Sequence, residues 1–270
     1  DVLLLVSVLG LVPDMHRIVR LCKIYDVILL EDTCESMGSK YQGKKLGTYG
    51  LMSSFSTYFG HHISTIEGGF VSTDDKELYE VLKSIRSHGW DRDASPEYSK
   101  QLRNEWNTSE FDSLYTFYHS GFNLRSTDLQ AFIGLGQIDK LDSICKKRNE
   151  NFKIYQKELA SFNPFIDPWY DCFISNFAYP VIHKNKDVIV KALQDADVEV
   201  RPMICGSMGT QPFYVKQYGR KELPNVAKID RYGFYVPNHP GLTEKDILTI
   251  TEIIKTAASE KVTDPHLQTR

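Results

Sequence analysis

Two apolar segments separated by a helix-like segment open the chain, and this alternation constrains the fold more than any other feature. Residues 2–8 are typical of a buried strand, residues 14–25 repeat apolar side chains at helical spacing, and residues 27–30 form a second apolar strand ending at Glu31 and Asp32. A strand, a helix and a second strand predict a parallel sheet in an α/β domain. Ligands of such sheets bind beyond the carboxyl ends of the strands, where Asp32 lies. Because the chain opens directly in a core-like strand with no methionine, we expect the protein to begin before Asp1.

The remainder of the chain continues this pattern. Further strands are predicted at residues 53–58, 70–72, 177–182 and 198–200. Further helices are predicted at residues 75–87, at 127–147 with a continuation to 159, at 187–196 and at 243–258. Residues 89–110 show little periodicity, and we predict an ordered functional loop there because it carries Trp90, Tyr98 and Trp106. The predicted domains are a large one over residues 1–141, a smaller α/β one over 142–262, and a tail over 263–270.

Charge and cysteine content exclude several classes of function. The 32 basic and 35 acidic side chains give a net charge of -3, which argues against nucleic acid or an anionic membrane as a partner. No apolar stretch reaches the ~20 residues that a membrane-spanning helix needs. The five cysteines are scattered, so we predict neither a disulfide framework nor a zinc site, and a reducing cytoplasm as the location.

The segment from residue 53 to residue 69 carries the densest chemistry. Hydroxyl side chains lie at the predicted strand end, His61 and His62 follow, and Gly68 and Gly69 close the loop. Hydroxyl groups at a strand end can donate to phosphate oxygens, and histidine is the usual proton shuttle near neutral pH. Adjacent histidines also suit a metal, but no third ligand lies at a recognisable spacing, so no metal is predicted.

Three ordered motifs resemble the DegT-type sugar-nucleotide aminotransferase family. They are Glu31-Asp32-x-x-Glu35, then Ser56-x4-His61-x5-Glu67-Gly68-Gly69, then Gly121-Phe122-Asn123-x-Arg125-x2-Asp128-Leu129-Gln130. The family consists of fold-type I enzymes that use pyridoxal phosphate (PLP). The resemblance therefore implies a large three-layer α/β/α domain with a smaller C-terminal α/β domain. It also implies an N-terminal segment ahead of Asp1 that supplies further cofactor contacts.

The resemblance assigns roles to four side chains around the cofactor. Asp32 corresponds to the aspartate that pairs with the pyridine nitrogen and keeps it protonated. Glu35 corresponds to a position, often glutamine in the family, near the ring hydroxyl. Ser56 corresponds to a hydroxyl that holds the cofactor phosphate. Asn123 corresponds to a residue that reaches the phosphate bound by the partner subunit, which implies a homodimer with shared active sites.

His61 departs from the aminotransferases, which carry at that position the lysine that binds the cofactor covalently. Imidazole cannot form that bond but can move a proton, and the 3-dehydratases of this family have a histidine there. The resemblance then implies a nucleotide-linked 4-keto-6-deoxy sugar as substrate, with glutamate regenerating pyridoxamine phosphate (PMP). A GDP-linked sugar is favoured, because the CDP-linked relative holds an iron–sulfur cluster that scattered cysteines do not suit. His88, Arg125 and Arg201 are the candidate substrate-binding residues.

Simpler roles stay open for most of these residues. In isolation, Asp32 is typical of a helix cap, His88 of a helix C-terminus and Asn123 of a turn. Arg125 and Arg201 could each form a structural ion pair, and His62 is interpreted as a structural residue. Two other functions also fit the fold: an aminotransferase forming a 4-amino sugar, and a regulatory or binding relative without catalysis.

Overall fold

The computed structural model describes residues 1–162 and 171–260, which form three β-sheets with helices packed around them. The strands are β1 (Val2–Val6), β2 (Ile28–Asp32), β3 (Lys40–Tyr41), β4 (Lys44–Lys45), β5 (Met52–Ser56), β6 (Gly69–Ser72), β7 (Cys172–Phe173), β8 (Ala178–Ile182), β9 (Arg201–Pro202) and β10 (Gly233–Pro237). The α-helices are α1 (Met15–Ile24), α2 (Lys76–Ile85), α3 (Pro96–Glu105), α4 (Asp128–Ile138), α5 (Leu141–Leu159), α6 (Lys186–Asp195), α7 (Pro212–Tyr218), α8 (Pro224–Tyr232) and α9 (Glu244–Ser259).

The main sheet has the order β1-β2-β5-β6 and positions the predicted cofactor residues. β1, β2 and β5 run parallel, and β6 is antiparallel to β5. Asp32 at the end of β2 is paired with Val6 on one side and with Ser54 on the other. The carboxyl ends of three parallel strands therefore meet at Asp32. The predicted parallel α/β sheet is confirmed.

The prediction that the first strand is buried is wrong. Val2, Leu4 and Val6 are 60%, 58% and 46% exposed. The reason is the position of β1 at the edge of the sheet, where it pairs only with β2. Edge strands are covered on fewer sides than central ones, and no other element of the described residues covers these side chains.

Two hydrophobic clusters form the interior. The smaller one surrounds Met15 of α1, Leu29 of β2 and Tyr41 of β3. The larger one lies in the C-terminal part, between the sheet β8-β10-β9 and helices α5, α6 and α9, with Tyr155 and Tyr179 stacked at its centre. The predicted division after residue 141 stays a prediction, although α5 contributes Phe152, Tyr155 and Leu159 to the larger cluster.

A third small sheet joins the two parts of the chain. Its order is β4-β3-β7, and β3 pairs antiparallel with both neighbours. β7 follows the long helix α5, so this sheet brings residues 172–173 next to residues 40–41. The segment after β7 is thereby positioned beside the large sheet, where it contributes to the site described below.

Three predictions of secondary structure are wrong in detail. Residues 89–110 are not one loop, because α3 spans Pro96–Glu105 with Ser95 as N-cap and a proline in its first turn. The helix predicted over residues 127–147 is interrupted at Asp139 and Lys140, which separate α4 from α5. Residues 198–200 form no strand, since pairing with β10 begins only at Arg201.

No helix among residues 1–162 and 171–260 is both long enough and apolar enough to cross a membrane. The predicted tail, residues 263–270, lies outside the described residues.

Candidate active site

His61 lies in the loop between β5 and β6 and borders a cavity of about 400 Å³. The loop begins where β5 ends at Ser56, beside the end of β2. The cavity walls come from both parts of the chain: Tyr58, Phe59, Gly60, His61, Phe177, Ala178, Glu199, Arg201, Ile204, Tyr235 and Pro237. The histidine therefore lies at the junction of the large sheet with the C-terminal part.

The His61 ring is half-buried between two aromatic rings. Its centroid lies 5.3 Å from that of Phe177 and 5.9 Å from that of Tyr58. Nδ1 is buried and has no hydrogen-bond partner among the described residues, which leaves Nε2 as the ring nitrogen accessible from the cavity. Burial and the positive charge of Arg148 lower the pKa of His61 below its ordinary value, and the carboxylate of Asp32 acts in the opposite direction. The ring is thereby kept neutral and able to accept a proton.

His62 has a different environment from its neighbour. It is 4% exposed, and its Nε2 lies 2.7 Å from the carbonyl oxygen of Ser175 and 3.0 Å from the hydroxyl oxygen of the same residue. Burial, with the charge of Arg148, lowers the pKa of His62 to about 3. The side chain ties the loop to the segment after β7, in agreement with its interpretation as structural.

Asp32 lies half-buried at the end of β2, where the predicted ring-nitrogen partner should be. Its Oδ1 accepts a hydrogen bond from the backbone N–H of Cys34 at 3.1 Å. The next residue, Thr33, donates from its hydroxyl to the carbonyl of Ser54 at 2.8 Å, which fixes the turn against β5. The carboxylate is close enough to His61 to influence its pKa, so these two predicted residues are brought together.

Glu35 follows the end of β2, and Ser56 is the last residue of β5. One oxygen of Glu35 accepts a hydrogen bond from the backbone N–H of Leu9, and burial raises the pKa of this carboxyl group. Its charge also acts on Tyr235 in the cavity wall. The Ser56 hydroxyl oxygen accepts from the backbone N–H of Tyr58 at 3.1 Å, which leaves its own proton available for donation.

His88, Asn123 and Arg125 form a separate group around Trp90. The His88 ring centroid lies 4.7 Å from that of Trp90, and the Arg125 guanidinium lies 5.7 Å from the Trp90 ring. Arg125 donates from Nε to Oδ1 of Asn123 at 3.4 Å, and Asn123 forms an isolated β-bridge with Ser87. Within residues 1–162 and 171–260, none of the contacts of this group reaches His61 or Asp32.

Arg201 is the one substrate-binding candidate that shares the cavity with His61. It is exposed, pairs with Glu199, and lies opposite Tyr235 on the neighbouring strand β10, on whose side chain its charge acts. Arg201 thus forms an ion pair, as its simpler interpretation predicts. Its position at the cavity wall also suits a phosphate group.

Sequence reasoning missed Arg148, Phe177 and Tyr235, which all contribute to the surroundings of His61. Arg148 is 4% exposed in α5 and donates from Nη2 to the carbonyl oxygen of His61 at 2.8 Å. The sequence did contain an indication that Arg148 is buried. Arg148 lies at helical spacing among residues that are otherwise mostly apolar, and these residues form one face of α5. That face consists of Cys145, Arg148, Phe152, Tyr155 and Leu159. No local pattern indicates Phe177 or Tyr235.

The residues present fit a pyridoxal-type cofactor. Among the described residues, a half-buried carboxylate (Asp32), a hydroxyl whose proton is not donated (Ser56) and a half-buried imidazole with an unpaired Nδ1 (His61) surround the ends of β2 and β5. The chemistry of these groups suits contacts with the ring nitrogen, the phosphate and the amine-bearing carbon of such a cofactor, in that order.

The sequence profile described as the DegT/DnrJ/EryC1/StrS aminotransferase family matches residues 1–255. The chain belongs to this family. The predicted resemblance is thereby confirmed over nearly the whole chain.

Curated members of the family include two enzymes named GDP-4-keto-6-deoxy-D-mannose 3-dehydratase. The chain is 36% identical over 262 residues to the enzyme of Yersinia pseudotuberculosis, a match that covers 94% of this chain and 66% of that protein. It is 31% identical over 263 residues to the enzyme of Escherichia coli O55:H7, covering 94% of this chain and 67% of that protein. The chain spans about two thirds of the length of these relatives.

The solved structure of the E. coli GDP-4-keto-6-deoxy-D-mannose-3-dehydratase with bound hydrated PLP superposes on this chain with a TM-score of 0.82. The sequence identity is 29%, and the match covers 94% of this chain and 67% of that one. The predicted fold class, that of the family's PLP enzymes, is confirmed by this agreement.

Proposed function

We propose that the protein is a PLP- and PMP-dependent 3-dehydratase that removes the C3 hydroxyl of a GDP-linked 4-keto-6-deoxy sugar. The observation that carries this proposal is His61, a histidine where an aminotransferase of the family needs a lysine. Relatives named as 3-dehydratases of GDP-4-keto-6-deoxy-D-mannose, at 31–36% identity, support the choice of reaction and of nucleotide. The cofactor residues of the proposal are Asp32, Glu35 and Ser56, with Asn123 contributed by the partner.

The bound cofactor supplies an amino group for the C4 ketone and a ring that accepts electrons. The residues of this chain supply the remainder. Asp32 keeps the ring nitrogen protonated, and Ser56 holds the phosphate. Nε2 of the neutral His61 removes a proton from the amine-bearing carbon and then assists the departure of the C3 hydroxyl as water.

The overall reaction balances without an external oxidant. At C3 of the sugar, a hydroxyl group is replaced by a hydrogen, so the sugar loses one oxygen atom and no net hydrogen, while glutamate releases its nitrogen as ammonia and gains one oxygen atom. The water released by the sugar equals the water used to form 2-oxoglutarate and ammonia. The products are a 3,6-dideoxy-4-keto sugar, still linked to GDP, together with 2-oxoglutarate and ammonia.

The proposed assembly is a homodimer with shared active sites. Asn123 and Arg125 are exposed and lie in the Trp90 group, away from His61 of the same chain. α4 follows them and has no buried residue, with Leu129, Phe132 and Leu135 between 66% and 73% exposed. An apolar helix face next to a phosphate-binding residue suits an interface between two copies.

The test is incubation of the protein with PLP, glutamate and GDP-4-keto-6-deoxymannose, followed by mass spectrometry. The expected sugar product is lighter by one oxygen atom, with release of ammonia and 2-oxoglutarate. A product with an amine in place of the ketone would instead establish an aminotransferase. Unchanged substrate with bound cofactor would indicate another nucleotide sugar, and failure to bind the cofactor would indicate the non-catalytic relative.

A further inference from the structure

Arg148 is a buried cation with no carboxylate beside it in the described residues. Its pKa is lowered to about 10 by burial, and its side chain takes part in no ion pair of residues 1–162 and 171–260. Nε and Nη1 have no hydrogen-bond partner in the same residues, and only Nη2 is used. A buried guanidinium without a counter-charge costs free energy, so its position needs a reason beyond stability.

The side chain of Arg148 is directed at the loop that carries the two histidines. Nη2 donates to the carbonyl oxygen of His61, and the charge of Arg148 acts on both His61 and His62. The backbone carbonyl of Arg148 accepts from the Asn238 side chain at 3.0 Å, which fixes this turn of α5 against the end of β10. The arginine is therefore held from behind and directed at the loop.

We infer that Arg148 is a positioning residue for His61, which fixes the loop through the His61 carbonyl and places an uncompensated positive charge next to that loop. This inference rests on the proposed role of His61 as a base. It adds that α5 helps to keep that base unprotonated, together with the burial of the ring and against the carboxylate of Asp32 on the sheet. Two links support it: one hydrogen bond of 2.8 Å and one uncompensated charge.

Other charged and titratable groups near the His61 ring act on its charge state together with Arg148. Asp32 from β2 raises the pKa of His61, against the lowering by burial and by Arg148. His62 belongs to the same loop. The cavity wall adds Tyr58, Glu199, Arg201 and Tyr235. Because Glu199 and Arg201 pair with each other, their charges largely offset, and Asp32 and Arg148 remain as the opposed pair.

The test is a titration of His61 by NMR in the cofactor-free protein labelled at histidine, with the His61→Asn variant to assign the signal. In the unaltered protein, the His61 pKa should lie below 6.5, its ordinary value. Arg148→Gln keeps a donor for the His61 carbonyl and removes the charge, so the pKa of His61 should rise. Arg148→Lys keeps the charge and should leave the pKa below 6.5. Arg220→Gln, which removes an exposed arginine paired with Glu222, is the matched control and should change nothing.

Each outcome decides the inference. A His61 pKa at or above 6.5 in the unaltered protein overturns it, and so does an unchanged pKa in a folded Arg148→Gln variant. If the Arg148→Gln variant is not folded, as shown by the absence of a cooperative unfolding transition, the Arg148→Lys variant is used instead. A rise of the His61 pKa to 6.5 in that variant, which keeps the positive charge, would contradict the inference. The titration needs neither substrate nor cofactor. The inference about Arg148 can therefore be contradicted while the proposed dehydratase activity is present, and it can be supported while that activity is absent.

Discussion

Nε2 of His62 lies 2.7 Å from the carbonyl oxygen of Ser175, a residue 113 positions later in the chain. The neighbouring His61 borders the cavity instead, so two adjacent histidines serve different purposes. One fastens the loop to the segment after β7, and the other faces the cavity. This division permits separate tests of the two residues.

His61→Asn should abolish the proposed dehydration while leaving cofactor binding in place. Loss of general acid–base catalysis typically lowers rates by ~10²–10⁴-fold, and asparagine cannot accept a proton at neutral pH. The measurement is the rate of dideoxy sugar formation, with cofactor retention followed by absorbance. His16→Asn, an exposed histidine on α1, is the control and should keep full activity. An active His61→Asn variant would require another base.

His62→Gln should make stability less dependent on pH. The pKa of His62 is about 3 in the folded protein against an ordinary value of 6.5, so the unfolded chain binds the extra proton first as pH falls. The contribution of the neutral His62 to the free energy of unfolding is therefore fully present above pH 6.5 and is lost as the pH falls towards 3. Well inside that interval, the loss is about 1.4 kcal/mol per pH unit. Glutamine cannot take up that proton.

Urea unfolding at a series of pH values measures this difference. Between about pH 6 and pH 4, the free energy of unfolding should fall more steeply in the unaltered protein than in His62→Gln. Equal slopes would mean that His62 is not held neutral by its burial against Ser175.

Gly89→Ala should disrupt the group around Trp90. Gly89 has a φ of +88°, and a Cβ at this position would lie 1.8 Å from the backbone oxygen of His119. The left-handed backbone alone costs an alanine roughly 1–2 kcal/mol, and the collision adds roughly 1–3 kcal/mol. Gly43→Ala is the matched control, since its φ is +81° with open space around the Cβ. Urea unfolding followed by tryptophan fluorescence should show the larger loss for Gly89→Ala, and equal losses would contradict the predicted collision.

Mixing two inactive variants should restore activity if Asn123 acts on the partner's cofactor. In a mixed dimer of His61→Asn with Asn123→Ala, one site receives both intact residues, and the other receives neither. With random exchange of subunits, the mixture should recover about a quarter of full activity. Activity assays before and after subunit exchange measure this. No recovery, with exchange shown by mass spectrometry, would place the role of Asn123 within its own chain.

The sequence predicted the residues whose positions depend on local patterns. Asp32 directly follows an apolar segment, and His61 lies between a strand end and a glycine pair. The positions of both residues in the fold could therefore be predicted from the sequence. α3 could also have been found, because Ser95 and Pro96 form a helix start. The contact of His62 with Ser175 and of Arg148 with His61 could not, because each joins segments about a hundred residues apart whose approach depends on tertiary packing.

The bond between His62 and Ser175 also has a consequence for biosynthesis. At translation rates of about 5–20 residues per second, about 6–23 s pass between the synthesis of the two partners. During that interval, the histidine loop lacks the segment that buries it, so its rings are open to water and to protonation. The base of the proposed reaction thus acquires its final environment only after most of α5 and β7 have left the ribosome.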